Sequence, residues 1–476
     1  MERVNRKIAI IGGGLRGLTA AYEIDKAIRD KQLPFEYMII EERARVGGMI
    51  RTIEVDGFAV DTGASSFDLR RADVRGFLEE LGLSDDIQFN AGGNMTLFDG
   101  NEFVGAIIPT YHGLPLFLND IWHEEALSFG SKIKSILNGM FFSKSIHEDP
   151  KYSTDKFLEF RLGREFVDYI AEPYFPENIY GSMELIPVKQ YDKNLVALYA
   201  RTGHKEKSEA VIKKYADGPG KEYTLKKGMS SLVDALGRKV DGHVYLNQKV
   251  TGMEVRGEGN IVLELNGHEP IRMGSVIVAT NAQDTHRYIE RAIADIPFPE
   301  PISTSMGTLL FQLDKKSIGK MPVGSGFVIP RKSAYHITKA TILNKKWLSF
   351  EEAPKLYLLV EFGRRQEETL VKLTDEIIID ILKRELKEIL ELTSEPHSSK
   401  VYRWSSAVPH FSLHQRKDMI ADGCSMEQRY AEKGIFLGGN GLKGYDMSNA
   451  IAEGKQLAAD AIQHMLETGK KNNPSA

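Results

Sequence analysis

The sequence predicts an α/β protein in which one doubly wound parallel sheet is assembled from separate stretches of chain, accompanied by a β-rich unit and a mostly helical insertion. Three observations predict it. An apolar run at 7–11 meets a glycine cluster, a helical stretch at 15–30 and a second apolar run at 35–40, which together make one β–α–β unit. A third apolar run, SVIVAT at 275–280, shows no polar alternation and reads as a strand buried on both faces. The strand–glycine pattern returns at 434–439 (GIFLGG), ahead of a helical stretch at 451–466.

The elements between these anchors fix the organisation. A chain of 476 residues is too long for one core. Residues 73–83 read as a short helix, and a further helix starts at 228–236. Residues 243–255 and 261–265 alternate like a hairpin around the glycine-containing turn 256–260. The sheet-forming domain therefore takes 1–90, 225–295 and 415–468. Residues 91–224 are rich in aromatics and helix formers and form the inserted helical unit. Residues 296–414 form the β-rich unit, with strands at 307–313, 326–329 and 356–362 and a helix at 375–392. The polar tail 469–476 reads as disordered.

Composition excludes several function classes. A net charge of −4 argues against a nucleic-acid binder, which shows a basic excess. One cysteine, Cys424, builds neither a disulfide framework nor a cysteine metal cluster, and fits a reducing cytoplasm. The apolar stretch 8–21 is broken by four glycines and Arg16, unlike a secretory signal. No run of about 18 apolar residues reads as a membrane span. The apolar-rich stretch 113–142 fits a surface lying on a membrane, the lining of a greasy cavity, or a buried helix pair. His410 and His414 have HxxxH spacing, but Pro409 precedes them and no third ligand is evident, so no metal site is expected.

The chemistry sits in five motifs. The first is Gly12-Gly13-Gly14-Leu15-Arg16-Gly17, a GxGxxG between strand and helix. Gly12 permits the turn, Gly14 lets the backbone approach a pyrophosphate, and Gly17 lets the helix pack on the sheet. Amides at the helix start then face the phosphates. Glu41, with Glu42 beside it, ends the second strand where an acid accepts from ribose hydroxyls and repels a 2′-phosphate. The second is Arg45-Val46-Gly47-Gly48-Met49, a paired glycine that simple NAD dehydrogenases lack, with Arg45 placed to neutralise phosphate. It selects non-covalent FAD as the cofactor of this Rossmann-like domain. The third, Asp61-Thr62-Gly63-Ala64-Ser65-Ser66-Phe67, has glycine and small residues that suit backbone passing close to an isoalloxazine ring. The fourth is distributed: 244–250 resembles a strand whose valine, here Val250, presents backbone atoms to the adenine, and 276–282 resembles a strand that ends beside the cofactor. The fifth is Gly439-Asn440 and then Met447-Ser448-Asn449 before the last helix, whose N-terminus is placed to stabilise an anionic reduced flavin; Asn440 and Ser448 serve equally as helix caps.

Together these motifs resemble the porphyrinogen oxidases of Gram-positive bacteria, the coproporphyrinogen/protoporphyrinogen oxidase family, nearly end to end. Further family-like stretches are Ser65-Ser66-Phe67 with Arg70-Arg71, Glu172-Pro173 with Ile179-Tyr180-Gly181, 324–331 continuing to Asn344-Lys345-Lys346-Trp347, and Arg403-Trp404 with Pro409. The resemblance implies a p-hydroxybenzoate-hydroxylase-like FAD fold, a substrate domain and a helical membrane-associating domain. It implies a cytoplasmic protein in peripheral contact with the inner face of the membrane. It also implies a tetrapyrrole substrate: a porphyrinogen loses six electrons in three flavin reductions, each reversed by oxygen with release of hydrogen peroxide. A hydride leaves a meso carbon for the flavin as a pyrrole proton is lost. The implied substrate contacts are Arg70 and Arg71, or else they form a solvated basic pair. Tyr174, Tyr180 and Phe327 are candidate cavity walls and Trp404 a flavin neighbour, each with core packing as the alternative. The flavin carries the redox chemistry, so no catalytic protein residue is singled out.

Departures from the family pattern keep two rivals open. Ala64-Ser65 stand where the family has Pro-Asp, Met49 where it has a cation, and Met447-Ser448-Asn449-Ala450 where it has Ile-Pro-Asp-Cys. One rival is an amine oxidase, although the C-terminal stretch offers only Tyr445 toward an aromatic cage. The other is a flavin-binding paralogue without catalysis. The choice between copro- and protoporphyrinogen, the electron acceptor and the oligomeric state stay open in the sequence.

Overall fold

The computed structural model describes residues 6–69, 74–92, 94–104, 109–141, 153–174, 183–185, 209–257, 259–290, 292–293, 295–421, 424–439, 441–442 and 446–472. Arg70, Arg71, Tyr180, Asn440, Tyr445 and the last four residues of the tail lie outside them.

Five parallel strands form the first sheet, in the order Val244–Tyr245, Glu36–Ile40, Lys7–Ile11, Ser275–Val278, Ile435–Leu437. Four distant parts of the sequence thus meet in one layer. The central strand KIAII is fully buried from Ile8 to Ile10, because helices on both faces demand apolar side chains in both directions. The first helix, Leu15–Lys31, packs against the last, Met447–Asn472. Gly454 lets them close up: a Cβ there would sit 2.6 Å from the Arg16 carbonyl oxygen. The sequence reads 243–255 as one hairpin arm, but it divides. Val244–Tyr245 joins the parallel sheet, and Val250–Gly257 starts a separate antiparallel meander with Asn260–Leu265 and His268–Met273.

A seven-stranded sheet forms the second unit, in the order Ser398–His410, Ile302–Leu313, Leu356–Phe362, Ile337–Ile342, Gly326–Val328, Thr96–Phe98, Phe103–Val104. Its last two strands come from inside the stretch expected to be helical. They are too short to show a period of two in the sequence, and their partner is more than 200 residues away. Alternation gives this sheet two different faces. Leu309, Phe311, Leu358 and Val360 pack beneath the helix Asp375–Leu390, which contributes Ile378, Leu382, Leu386 and Ile389. Thr308, Lys339, Thr341, Leu359 and Glu361 face the other way, into a cavity.

A third cluster is mainly helical: Leu118–His123, Phe129–Phe141, Thr154–Leu162 and the turns running on to Tyr174. A two-residue hairpin, Thr110–Tyr111 paired with Leu114–Pro115, projects from it. No helix among the described residues is long and apolar enough to cross a membrane.

Candidate functional site

The glycine loop has the conformation its sequence requires. Gly12 has φ of +103°, in the region that favours glycine, and its amide donates to the Ile40 carbonyl at 2.9 Å. A Cβ on Gly17 would lie 1.9 Å from the Gly12 oxygen, so only glycine lets this helix lie so close to its strand. Gly14 occupies the N-cap position and offers no side-chain cap. The first-turn amides of the helix starting at Leu15 are left for an external acceptor, which fits a pyrophosphate.

The paired glycines close over this loop. Gly14 and Gly47 form a parallel bridge, the Gly47 amide donates to the Gly13 carbonyl at 2.8 Å, and Gly48 has φ of +58°. Glu41 is buried, and its carboxylate accepts from the Gly13 amide at 2.7 Å and the Arg43 amide at 2.9 Å, tying the strand end to the loop. Arg45, expected to face phosphate, donates to the carbonyls of Val46, Ile50 and Gly48. Burial, then the neighbouring Arg43 and Arg51, pull its guanidinium below the usual range. Glu42 is exposed and pairs with Lys249 at 2.9 Å. Val250 is buried beside Ile40 and Ile11. Arg16, expected among the cofactor contacts, is buried in an ion pair with Glu453 of the last helix.

At the C-terminal end, Gly439 has φ of +118°, and a Cβ there would lie 1.8 Å from the Thr280 oxygen. The last helix opens on Met447-Ser448-Asn449, with Met447 and Ser448 buried. Its cap is not Ser448, and Asn440 lies outside the described residues. The Asp446 carboxylate accepts from the Asn449 amide at 3.0 Å and from the Asn449 side chain.

The sequence-predicted Gly63-Ala64-Ser65-Ser66 and Met447-Ser448 meet at one end of a cavity of about 320 Å³. The seven-stranded sheet supplies its floor, and the hairpin tip His112-Gly113 with Tyr174 supplies the far wall. Tyr174 lies against Gly113, where a Cβ would come within 2.0 Å of the ring, and its hydroxyl donates to the Met95 carbonyl at 3.3 Å. Met49 packs with Trp404, Met306, Ala407 and Val408 beneath the Gly63 loop. The Trp404 indole N–H donates to the Thr62 carbonyl at 3.3 Å, so this tryptophan supports the loop from the core. Phe327 corrects an expectation. It lies wholly buried among Phe103, Phe311 and Leu358 on the helix-covered face, and its neighbour Val328 is the one on the cavity. A single step along a strand exchanges the two faces.

Charge in the cavity is organised in pairs. Lys339 and Glu361 are register partners on adjacent strands, 2.8 Å apart. Lys346 lies 2.7 Å from Glu222, which also accepts from Ser66 Oγ at 3.1 Å. Burial pushes Glu222 up, but Lys346 outweighs it and leaves the carboxyl below its ordinary value. Burial pulls Lys339 down, but Glu361 outweighs it and holds the ammonium above its ordinary value. His112 and Asp68 approach to 3.4 Å. Asp61, two residues before Gly63, is pushed up by burial to about 7, against the Thr52 hydroxyl and the Met229 amide.

Sequence reasoning placed Asp61 at the head of the third motif without giving it a role, and passed over Asp68, His112, Glu222, Lys339 and Glu361. For Lys339 and Glu361 a signal existed: each is the lone charge of an otherwise apolar strand, ITKATI and LYLLVEF. His410 is fully buried and pushed down to about 3 by burial, while His414 is exposed and faces Asp418 at 3.5 Å. Among the described residues no group of three His, Cys, Asp or Glu could hold a metal ion. Cys424 is exposed in a short strand.

The comparisons agree with this geometry. The model of the family described as "Flavin containing amine oxidoreductase" matches residues 16–462. Coproporphyrinogen III oxidase from Bacillus subtilis is 26% identical, over 98% of this chain and all of that relative. The mitochondrial protoporphyrinogen oxidase of Nicotiana tabacum is 23% identical, over 97% of this chain and 96% of its own length. A crystal structure from Exiguobacterium sp. 255-15, of a protein provisionally named a protoporphyrinogen oxidase, superposes with a TM-score of 0.77 at 21% identity, covering 97% of this chain and 99% of that one. The fold is thus the mixed α/β fold of flavin-dependent amine oxidases, and the chain belongs to the flavin-containing amine oxidoreductase family.

Proposed function

We propose that this chain is an FAD-dependent oxidase that converts coproporphyrinogen III, or protoporphyrinogen IX, to the porphyrin, with oxygen as acceptor and hydrogen peroxide as product, in haem biosynthesis. The observation that carries it is the end-to-end similarity to the Bacillus coproporphyrinogen III oxidase, with no unmatched domain on either side. The bound flavin would accept hydride and return electrons to oxygen. The chain's own residues do the rest. Gly12 to Gly17 and Gly47-Gly48 hold the dinucleotide against the first helix, and Glu41 lies at the strand end beside the ribose position. Gly63 to Ser66 and Met447-Ser448-Asn449 border the ring. The cavity lined by Tyr174 and the seven-stranded sheet is the proposed place for the macrocycle. Arg70 and Arg71, which follow the strand Phe67–Asp68 in sequence, are proposed contacts for the substrate carboxylates.

Two finer readings belong here. The parallel sheet with its separate β-rich unit supports the p-hydroxybenzoate-hydroxylase subtype. The helical cluster supports peripheral membrane contact at the inner face: Phe129, Ile133 and Leu137 form an outward stripe on one helix, with Trp122 and Phe160 also exposed and Lys132 and Lys134 interleaved. The deciding experiment is anaerobic addition of coproporphyrinogen III to the holoprotein. Flavin bleaching, then porphyrin fluorescence on admitting air, is expected. An unbleached flavin with both porphyrinogens overturns the reading.

Amine oxidation is favoured by one observation. Six carboxylates (Asp61, Asp68, Asp217, Glu222, Glu361 and Asp446) line the cavity against the three lysines Lys221, Lys339 and Lys346. That balance attracts ammonium groups. Peroxide release from polyamines, and none from porphyrinogens, would select this alternative.

A further inference from the structure

Asp61 ends the strand Phe58–Asp61, two residues before the Gly63 loop, and forms part of the cavity wall. Its Oδ1 accepts two hydrogen bonds, from the Thr52 hydroxyl at 2.5 Å and from the Met229 amide at 2.9 Å. Thr52 and Ser230 bond each other reciprocally, amide to hydroxyl at 2.8 and 2.9 Å, so the oxygen is held by a rigid frame at the start of the helix Ser230–Lys239. Oδ2 has no protein donor, and no lysine, arginine or histidine pairs with Asp61 among the described residues. The cavity lysines Lys346 and Lys339 are already bound by Glu222 and Glu361. The site therefore holds a carboxyl with one fixed oxygen and one facing the substrate space.

The proposed oxidation needs such a group. Each round removes a hydride from a meso carbon and a proton from a pyrrole nitrogen, and the N–H electron pair becomes the new double bond of the macrocycle. A bound flavin would take the hydride and pass the electrons to oxygen, giving hydrogen peroxide; the proton needs an acceptor within the cavity. We propose that Asp61 is that acceptor, receiving the pyrrole proton on Oδ2 and passing it to solvent between rounds. The inference rests on the porphyrinogen reading given above. Burial makes the role workable at neutral pH, because a carboxyl raised to about 7 takes a proton far more readily than an exposed one. The groups facing it are the Thr52 hydroxyl, the Met229 amide and, across the cavity, the Lys346–Glu222 and Lys339–Glu361 pairs.

The alternative is that Asp61 only pins the hairpin Thr52–Val55/Phe58–Asp61 to the helix. Asp61→Asn separates the two, because the amide oxygen still accepts both Oδ1 bonds while the proton-accepting oxygen is lost. In anaerobic single-turnover reduction by coproporphyrinogen III, the wild type should speed up as pH rises through about 7. Asp61→Asn should bind FAD like the wild type and melt at least as high, reduce its flavin roughly 10²-fold more slowly, and lose that pH dependence. A variant rate and pH profile matching the wild type would overturn the proposal. A second measurement needs no substrate. Infrared titration of the resting holoenzyme should show a protonated-carboxyl band that fades through about pH 7 and is missing in Asp61→Asn; a wild type without it overturns the proposal as well. If the wild type bleaches with no porphyrinogen, the function reading itself has failed, an outcome distinct from equal rates in wild type and variant.

Discussion

Glu124 shows how a single side chain couples the fold to pH. It is buried in the helical cluster, its Oε1 has no hydrogen-bond partner among the described residues, and burial pushes its carboxyl up to about 7, with Lys132 pulling it down and Asp120 and Glu125 pushing it further up. A carboxyl raised in the fold favours the protonated state. Its stabilising contribution is complete below the ordinary glutamate range and is lost as pH rises through about 7. Glu124→Gln should therefore melt higher than wild type at pH 8, by on the order of 2 kcal/mol, and match it near pH 4. Thermal melts across that range check it; equal melting curves at high pH would show that Glu124 is solvated. The same scale explains what the sequence disclosed. Gly12, Gly17 and Gly48 were legible because a positive φ or a backbone contact admits one residue type. Asp61 was legible as a motif position but not as a role, because its meaning depends on Thr52 and on Met229, 168 residues away. Arg16 was legible as a position but not as a role, since its partner Glu453 lies 437 residues on.

At the scale of elements, the helix Phe129–Phe141 has two faces with different tasks. Ser135 and Ile136 are buried, and the Ser135 hydroxyl donates to the Leu162 carbonyl. Phe129, Ile133 and Leu137, spaced i, i+4, i+8, lie outward, with Phe129 71% exposed. Trp122 stacks obliquely on Phe129 at 5.9 Å and widens the stripe. Burying a phenylalanine or leucine is worth about 1.5–3 kcal/mol, and a lysine near an anionic surface about 1 kcal/mol. Phe129→Ser with Leu137→Ser should therefore weaken binding to anionic vesicles by roughly 10²-fold or more and leave flavin reduction in detergent unchanged. Vesicle flotation measures it, and equal flotation would assign the stripe to a protein partner. The sequence located this stretch but left three readings open, because an apolar period does not say which face meets the core. The strands Thr96–Phe98 and Phe103–Val104 escaped for a related reason: two or three residues are too few for a period, and their partner Gly326–Val328 is remote.

For the molecule as a whole, the parallel sheet draws its five strands from residues 7–11, 36–40, 244–245, 275–278 and 435–437, so nothing local holds the dinucleotide site together. The first and last helices close it, through Gly454 against Arg16 and through the Arg16–Glu453 pair. A ligand held by the first glycine loop and bordered by the N-terminus of the last helix must stabilise both ends of the chain at once. A hundredfold excess of FAD over its Kd is worth about 2.7 kcal/mol to the folded state. Removing FAD should therefore expose N- and C-terminal segments to protease together, while the seven-stranded sheet and its helix Asp375–Leu390, with their own core, persist longer. Limited proteolysis with and without FAD, read by mass spectrometry, tests this. Gly17→Val, which would drive a side chain into the Gly12 oxygen, should behave as the FAD-free protein even with FAD added. Should only one terminus lose protection, or the β-rich unit digest first, the discontinuous sheet would not be the cooperative unit that the flavin completes.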